Sequence, residues 1–199
     1  MTRKRVLMLF LAAGIILALI LGFYFYQLNR MPSQADVRAL LQTFTDRINT
    51  GDLKGARELL TADSRSLLRD PGTILGETVY RNLSLRSVDN VLPEGEGIFS
   101  ADVCFTTPDT LKIMSSAGIV FAERVTENGP AEDADGVLAE IYEEILSRDD
   151  LPMLEQFCIV RIVSENGMLR IQADTSLQHA LEGNSTESLS GMERIFGER

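Results

Sequence analysis

The chain has 199 residues, of which 45% are hydrophobic and 24% are charged, and its formal net charge is −10 with a pI near 4.6. That length fits one domain of ordinary size with an appendage rather than two full domains. The acidic balance excludes a basic nucleic-acid-binding surface, the two cysteines exclude a disulfide-built or zinc-binding cysteine scaffold, and the single histidine excludes a multi-histidine metal site.

The N-terminal part differs in composition from the rest of the chain. Residues 28–199 carry 16 basic residues against all 29 acidic ones, a net charge of −13. Residues 6–26 read VLMLFLAAGIILALILGFYFY, an uncharged run that would span about 31 Å as a helix, close to the thickness of the bilayer hydrocarbon. Its aromatic end would lie at the lipid headgroups. The pattern predicts a transmembrane helix over residues 6–26 that contacts the lipid bilayer.

The flanking charges predict the orientation of that helix. Arg3, Lys4 and Arg5 precede the apolar run, so residues 1–5 are predicted to be cytoplasmic and the remainder to lie outside the cytoplasm. The alternative is a cleaved signal peptide. The run is longer than the usual apolar core of about 7–15 residues, and no small-x-small cleavage site follows it. We therefore expect a single-pass protein of the cell membrane.

A short linker, residues 27–33, leads into a predicted extracytoplasmic domain over residues 34–183. Ser33 and Asp36 form a capping-box pattern before apolar residues at helical spacing, which predicts a helix over about 34–49. Asp52 is expected to cap a second helix, and the Asp-Pro-Gly sequence at 70–72 to break the chain.

Two strands are predicted next. The first, over 81–91, has a phase slip between Leu85 and Val88 that predicts a β-bulge. The second alternates apolar and polar residues over 99–106. Residues 108–126 fit either a helix capped by Thr107 with Pro108 at its first position or a short strand, and the helix is favoured.

The last third of the domain is predicted to be mixed. A loop over 127–135 precedes an amphipathic helix that ends near Ser147. Two strands, 155–163 and 168–173, flank Asn166-Gly167, a strong hairpin signal. Asp174 is expected to cap a last short helix, and residues 184–199 to form a flexible tail.

Two stretches resemble a known family. Residues 40–64 read LLQTFTDRINTGDLKGARELLTADS, and residues 158–181 read CIVRIVSENGMLRIQADTSLQHAL. The first is similar to the opening and the second to the closing hairpin of the nuclear-transport-factor-two-like, or cystatin-like, α+β cone domains. Leu169 departs from this pattern, in which tryptophan is commonest. The fold class expected is therefore α+β: one N-terminal transmembrane helix and a cone-like domain of helices on a curved antiparallel sheet of about four strands.

Two shorter motifs narrow the resemblance. Thr107, Pro108 and Asp109 form a T-P-D stretch, and residues 149–152 form a D-D-L-P stretch. Both look like those of small bacterial membrane-anchored or lipid-anchored extracytoplasmic domains without an assigned activity. The resemblance implies a fold and a location. It implies no reaction, because this fold carries both enzymes and binding modules.

Four polar residues are candidates for chemistry, because enzymes of this fold use Asp, Tyr and His inside the cone. Tyr80, Asp89 and Asp102 could be polar groups of a pocket, although solvent-facing positions are the ordinary interpretation of all three. His179 lies between the apolar residues Leu177 and Leu181 of the last helix and is expected to face solvent.

The remaining candidates are metal and cysteine sites. A calcium loop with Gly136 at its sixth position fails, because its positions 1 and 12 would be Ala131 and Tyr142. The acidic stretch 127–150 could contact a basic partner or a divalent ion in the envelope, but a solvated helix surface is the favoured interpretation. Cys104 and Cys158 lie on predicted strands, where they could pair as a disulfide or stay small buried residues.

The sequence thus predicts a membrane-anchored extracytoplasmic binding or interaction domain without catalysis, metal or cofactor, which could contact a protein partner in the envelope and does not bind nucleic acid. The alternatives are a cone-fold enzyme, isomerase-like or dehydratase-like, acting on a small apolar substrate, and an accessory subunit of an envelope complex. An enzyme needs an apolar pocket with at least two converging ionisable groups.

Overall fold

The computed structural model describes residues 14–22, 31–129 and 133–183. Residues 14–22 are helical, and no helix within the described ranges is both long and apolar enough to cross a membrane. Residues 6–13 and 23–26 of the predicted span, the N-terminal segment 1–5, most of the linker and the tail 184–199 lie outside the described residues.

The domain is an α+β structure built on a four-stranded antiparallel sheet, as predicted. Its elements in chain order are α1 (Gln34–Asn49), α2 (Leu53–Glu58), a 3-10 turn (Arg65–Leu67), α3 (Ile74–Arg81), β1 (Ser84–Gly95), β2 (Ile98–Pro108), α4 (Thr110–Asn128), α5 (Ala134–Leu146), β3 (Met153–Glu165), β4 (Met168–Gln172) and α6 (Thr175–Glu182).

The sheet has the strand order β1-β2-β3-β4, so each strand pairs with its neighbour in the chain. The predicted bulge is confirmed, because the pairing of β1 with β2 shifts between Leu85 and Ser87. Bulges of this kind bend a strand and increase its twist. The predicted hairpin is confirmed as well. Asn166 and Gly167 have φ angles of 52° and 77°, the left-handed pair that a tight hairpin turn between β3 and β4 requires.

One face of the sheet, which we call the inner face, carries the main core. Phe99, Ala101, Val103 and Phe105 of β2 are buried there at every second position. α1 and α6 pack against this face with Val37, Leu41, Phe44, Ile48, Leu177 and Leu181. The opposite, outer face has no helix packed on it among the described residues, and Phe157 and Ile159 of β3 are exposed there.

The caps of α1 and α2 follow the prediction. Ser33 Oγ accepts a hydrogen bond from the amide of Asp36, while the Asp36 carboxylate accepts one from the Ser33 amide. Asp52 caps α2 by accepting a hydrogen bond from the amide of Gly55. These reciprocal bonds satisfy donors that a helix leaves free at its first turn.

The ambiguous segment 108–126 is a helix, α4, but its predicted cap is wrong. Thr107 and Pro108 belong to β2, whose pairing with β3 continues to Pro108 opposite Met153. Asp109 caps the helix instead, and its Oδ1 accepts a hydrogen bond from the Lys112 amide at 3.1 Å.

α4 and α5 form a helical hairpin inserted between β2 and β3. It has a small core of its own, made of Ile113, Ala117, Ile141 and Ile145. Leu75 of α3 packs against this second core, so α3 lies between the hairpin and the main domain. The sequence did not predict α3, and β1 begins at Ser84 rather than Arg81.

Candidate ligand-binding cavity

A cavity of about 610 Å³ lies between α3, the segment before it, and the α4–α5 hairpin. Its volume falls within the range of small-molecule sites, roughly 300–1,000 Å³. The walls are mainly apolar, and the side chains that form them include Ile74, Leu75, Val79, Met114, Leu138 and Tyr142. The cavity therefore lies beside the main core and not on the inner face of the sheet.

The first wall of the cavity is α3 and the turn that precedes it. Pro71 and Gly72 interrupt the chain, and Thr73 then caps α3 by accepting a hydrogen bond from the Gly76 amide at 3.1 Å. One side of α3 buries Val79 and Tyr80 in the main core. The neighbouring side is left to face the hairpin, which is why the cavity lies between them.

The second wall is the α4–α5 hairpin. Arg124 of α4 joins the two helices through Glu144 at 3.0 Å and Glu140 at 3.7 Å, both on α5. Because these pairs are exposed, they contribute little free energy each. The packing of Ile113 and Ala117 against Ile141 holds the hairpin together, and α5 then turns Leu138 and Tyr142 towards the cavity.

Three polar groups of the cavity wall are hydrogen-bonded within the protein. The Thr110 hydroxyl donates to the carbonyl oxygen of Gly183, and the Tyr80 hydroxyl donates to the carbonyl oxygen of Arg69 at 3.1 Å. Glu182 also lines the cavity, and its Oε1 accepts a hydrogen bond from the Gln178 amide group at 2.8 Å. These groups already have partners, so the cavity offers a ligand mostly apolar contact.

Tyr80 is the most perturbed titratable group of the site. Burial, with a smaller contribution from the negative charge of Glu182, raises the pKa of Tyr80 to about 12. Burial also raises the pKa of Tyr142. Both phenols are therefore neutral at physiological pH and do not act as bases there.

Acidic side chains outnumber basic ones in the lining of the cavity. Asp70, Asp135 and Glu182 line it together with Arg69. Asp70 is paired with Arg57 at 2.8 Å, which neutralises one of the three carboxylates. The remaining charge disfavours an anionic ligand.

The four polar candidates of the sequence do not come together. Tyr80 reaches the cavity, but Asp89 and Asp102 face each other across β1 and β2 and are exposed on the sheet. Asp102 accepts a hydrogen bond from the Asn90 amide group at 2.7 Å. His179 is half-buried on α6 rather than fully solvent-facing, and it is not among the side chains that line the cavity.

The disulfide that the sequence allowed is incompatible with the sheet register. Cys158 lies opposite Val103, and Cys104 lies opposite Phe157, so the two cysteines occupy alternate positions of their strands. Their side chains point to opposite faces, since successive residues of a strand alternate. Both thiols are free and buried. The inner-face thiol, Cys158, belongs to the main core.

The acidic stretch 127–150 contains the residue that caps α5. Asp133 caps α5 by accepting a hydrogen bond from the Gly136 amide at 2.9 Å. Within the described ranges, no group of three or more histidine, cysteine, aspartate or glutamate side chains is arranged to hold a metal ion.

Sequence reasoning missed α3, which contributes most to the cavity. The signal was present: Thr73 follows a Pro-Gly break, and Leu75 and Val79 stand four residues apart as on one face of a helix. The cavity itself has no signature in the sequence, because it arises from the distance between two cores.

Comparisons of the chain with family models, with curated proteins and with solved structures found no match of any of the three kinds.

Proposed function

We propose that this protein is a membrane-anchored, non-catalytic binding module, which takes the apolar part of a neutral ligand into the cavity between α3 and the α4–α5 hairpin. The observation that carries this proposal is the cavity itself, an apolar volume of about 610 Å³ in which the buried hydroxyls of Tyr80 and Thr110 are already hydrogen-bonded. Such a wall favours a ligand recognised by shape and apolar contact.

Support for the membrane anchor comes from the helical residues 14–22. The side chains of Ile15, Ile16, Leu17, Leu19, Ile20 and Leu21 are all about half exposed or more. Consecutive residues of a helix point in directions about 100° apart, so this apolar surface surrounds the helix. An apolar surface on all sides is stable in lipid and unfavourable in water. It agrees with a transmembrane helix over residues 6–26.

The direction of α1 is the reason for proposing that the cavity faces away from the bilayer. The Gln34 side chain donates to the carbonyl oxygen of Val88, and Asn49 at the other end donates to that of Leu83 at 2.9 Å. The hairpin leaves the sheet near this second end, since Ser84 pairs with Thr106 at the end of β2. The 16 residues of α1 rise about 24 Å, so the cavity lies at the end remote from the tether.

The outer face of the sheet supports a second candidate function, contact with a protein partner in the envelope. Phe157 is 76% exposed and Ile159 is 59% exposed on the same face of β3. Neighbouring apolar side chains on an open sheet face are typical of protein contact sites. An accessory subunit of an envelope complex, the alternative named from the sequence, would use this face in the same way.

An enzyme of the cone fold has less support. The inner face of the sheet is filled by Phe44, Phe99 and Phe105, and the raised pKa of Tyr80 is unfavourable for a general base.

The anchor is tested by adding protease to intact cells that contain the full chain. Digestion of residues 34–183 with survival of the apolar N-terminal segment is the expected result. If the domain resists digestion until the cells are opened, the proposed orientation is wrong.

The cavity is tested by photolabelling the full chain in lipid nanodiscs with a small neutral aryl diazirine, followed by peptide mapping. We expect labelled peptides from α3 and α5, and a several-fold loss of label in Ala139→Trp, which fills the cavity. Ala122→Trp is the matched control, because Ala122 is an exposed alanine of the same hairpin outside the cavity. Equal labelling of both variants would contradict the binding proposal.

A further inference from the structure

The described chain ends at Gly183, beside two residues that line the cavity. We infer that residues 189–196 bind in the cavity between α3 and the α4–α5 hairpin, where they compete with an external ligand. The competition rests on the proposed function, but the binding of the segment does not. A segment of the same chain would then regulate access of the ligand to the cavity.

The exit point of the segment is fixed by close packing. Gly183 ends α6 with a φ of +58°, and a Cβ atom at this position would lie 2.6 Å from the carbonyl oxygen of Pro108. The Gly183 carbonyl oxygen also accepts the hydrogen bond of Thr110. Both Thr110 and Glu182 line the cavity. The chain therefore begins its last segment beside the cavity, in a conformation that only glycine adopts easily.

The sequence of the segment fits an apolar cavity. Leu189, Met192, Ile195 and Phe196 stand at positions i, i+3, i+6 and i+7. At helical spacing these side chains share one face about 120° wide. A short amphipathic segment that lays this face into an apolar groove is a recurrent mode of peptide recognition. The cavity wall supplies matching apolar side chains from Leu75, Met114 and Leu138.

The tether makes weak binding sufficient. Residues 184–188 can bridge up to about 20 Å, whereas packed helices lie only about 8–10 Å apart. A short tether gives a local concentration in the millimolar range. A segment with only millimolar intrinsic affinity would then fill the cavity for about half of the time, and its removal would raise the access of a ligand about twofold or more.

The test places a photoreactive benzoylphenylalanine at position 196 of the full chain in nanodiscs, with position 190 as the control on the other side of the segment. We expect an intramolecular cross-link from position 196 to peptides of α3 or α5, and several-fold less from position 190. Cross-links to the outer sheet face, to another copy of the chain or to no cavity peptide would overturn the inference.

A second measurement separates this inference from the proposed function. In the double variant Ile195→Ser, Phe196→Ser, the neutral aryl diazirine should label the cavity about twofold or more above the unchanged chain. Equal labelling of the two chains, without the cross-link, would remove the inference and leave the binding proposal intact. A cross-link to the cavity without diazirine labelling in the double variant would retain the docked segment and contradict the ligand-binding proposal.

Discussion

The backbone amide of Asp109 donates a hydrogen bond to the carbonyl oxygen of Pro152 at 2.8 Å. This bond joins the two stretches, T-P-D and D-D-L-P, that stood out in the sequence on either side of the middle helices. It continues the pairing of Pro108 with Met153 and closes the base of the α4–α5 hairpin. The position of the hairpin, and with it the width of the cavity, therefore depends on the residues around Asp109.

Replacing Asp109 by alanine should destabilise the domain by about 1 kcal/mol, because the buried carboxylate that caps α4 is lost. Urea-dependent pulse proteolysis of the full chain measures the change. Lys112→Ala is the matched control: it removes only the ion pair between the exposed ammonium group of Lys112 and the buried Asp109 carboxylate, at 3.0 Å, and leaves the cap bond to the Lys112 backbone amide, so it should cost less than Asp109→Ala. Equal losses of stability in both variants would show that the cap of α4 does not stabilise the domain.

Truncation of two phenylalanines on neighbouring strands should change the free energy of unfolding by very different amounts. Phe105 is fully buried on the inner face, so Phe105→Ala should cost about 3–5 kcal/mol, and Phe105→Leu less. Phe157 is 76% exposed, so Phe157→Ala should change the free energy of unfolding by at most about 0.5 kcal/mol. The same proteolysis assay checks both. A large loss at Phe157 would mean that the outer face is covered in the folded protein.

Local signals were sufficient for much of the fold. The capping box at Ser33, the alternation of β2 and the Asn166-Gly167 turn each act over a few residues, and each is present in the structure as predicted. Such features depend on backbone geometry and nearby side chains, so they can be recognised without knowing the rest of the chain.

The cavity and the cysteine positions depend on longer-range relationships. Whether Cys104 and Cys158 can pair is decided by the register of β2 with β3, and a shift by one residue would place them opposite each other on the same face. The cap of α4 was misassigned to Thr107 for a similar reason, because pairing with β3 extends the strand past that residue. Of the candidate site, only Tyr80 was named from the sequence.

Both cysteines should react slowly with thiol reagents in the folded protein. Burial, together with the negative charge of Asp174, raises the pKa of Cys158 to about 12, and burial raises the pKa of Cys104. At pH 8 about one Cys158 thiol in ten thousand would be ionised. Reaction with Ellman's reagent should become fast only after denaturation, and Cys104→Ser and Cys158→Ser assign the two rates. A Cys104–Cys158 cross-link under non-reducing conditions would contradict the observed register.

Tyr80 should make the stability of the domain fall at high pH. Its pKa is about 12 when folded, mainly because of burial, and about 10 in an unfolded chain. Below pH 10 both states are protonated and the group's contribution is fully present; between pH 10 and 12 only the unfolded state ionises, so stability is lost. Tyr80→Phe should flatten this loss, while costing about 1 kcal/mol at neutral pH for the hydrogen bond to Arg69. Pulse proteolysis across pH 9–11, with absorbance at 295 nm reporting tyrosine ionisation, measures both effects.

Tyr142→Phe serves as the control and should change the pH dependence less, because Tyr142 is only half-buried. An unchanged slope in Tyr80→Phe would mean that the phenol ionises normally and that the cavity wall is open to water.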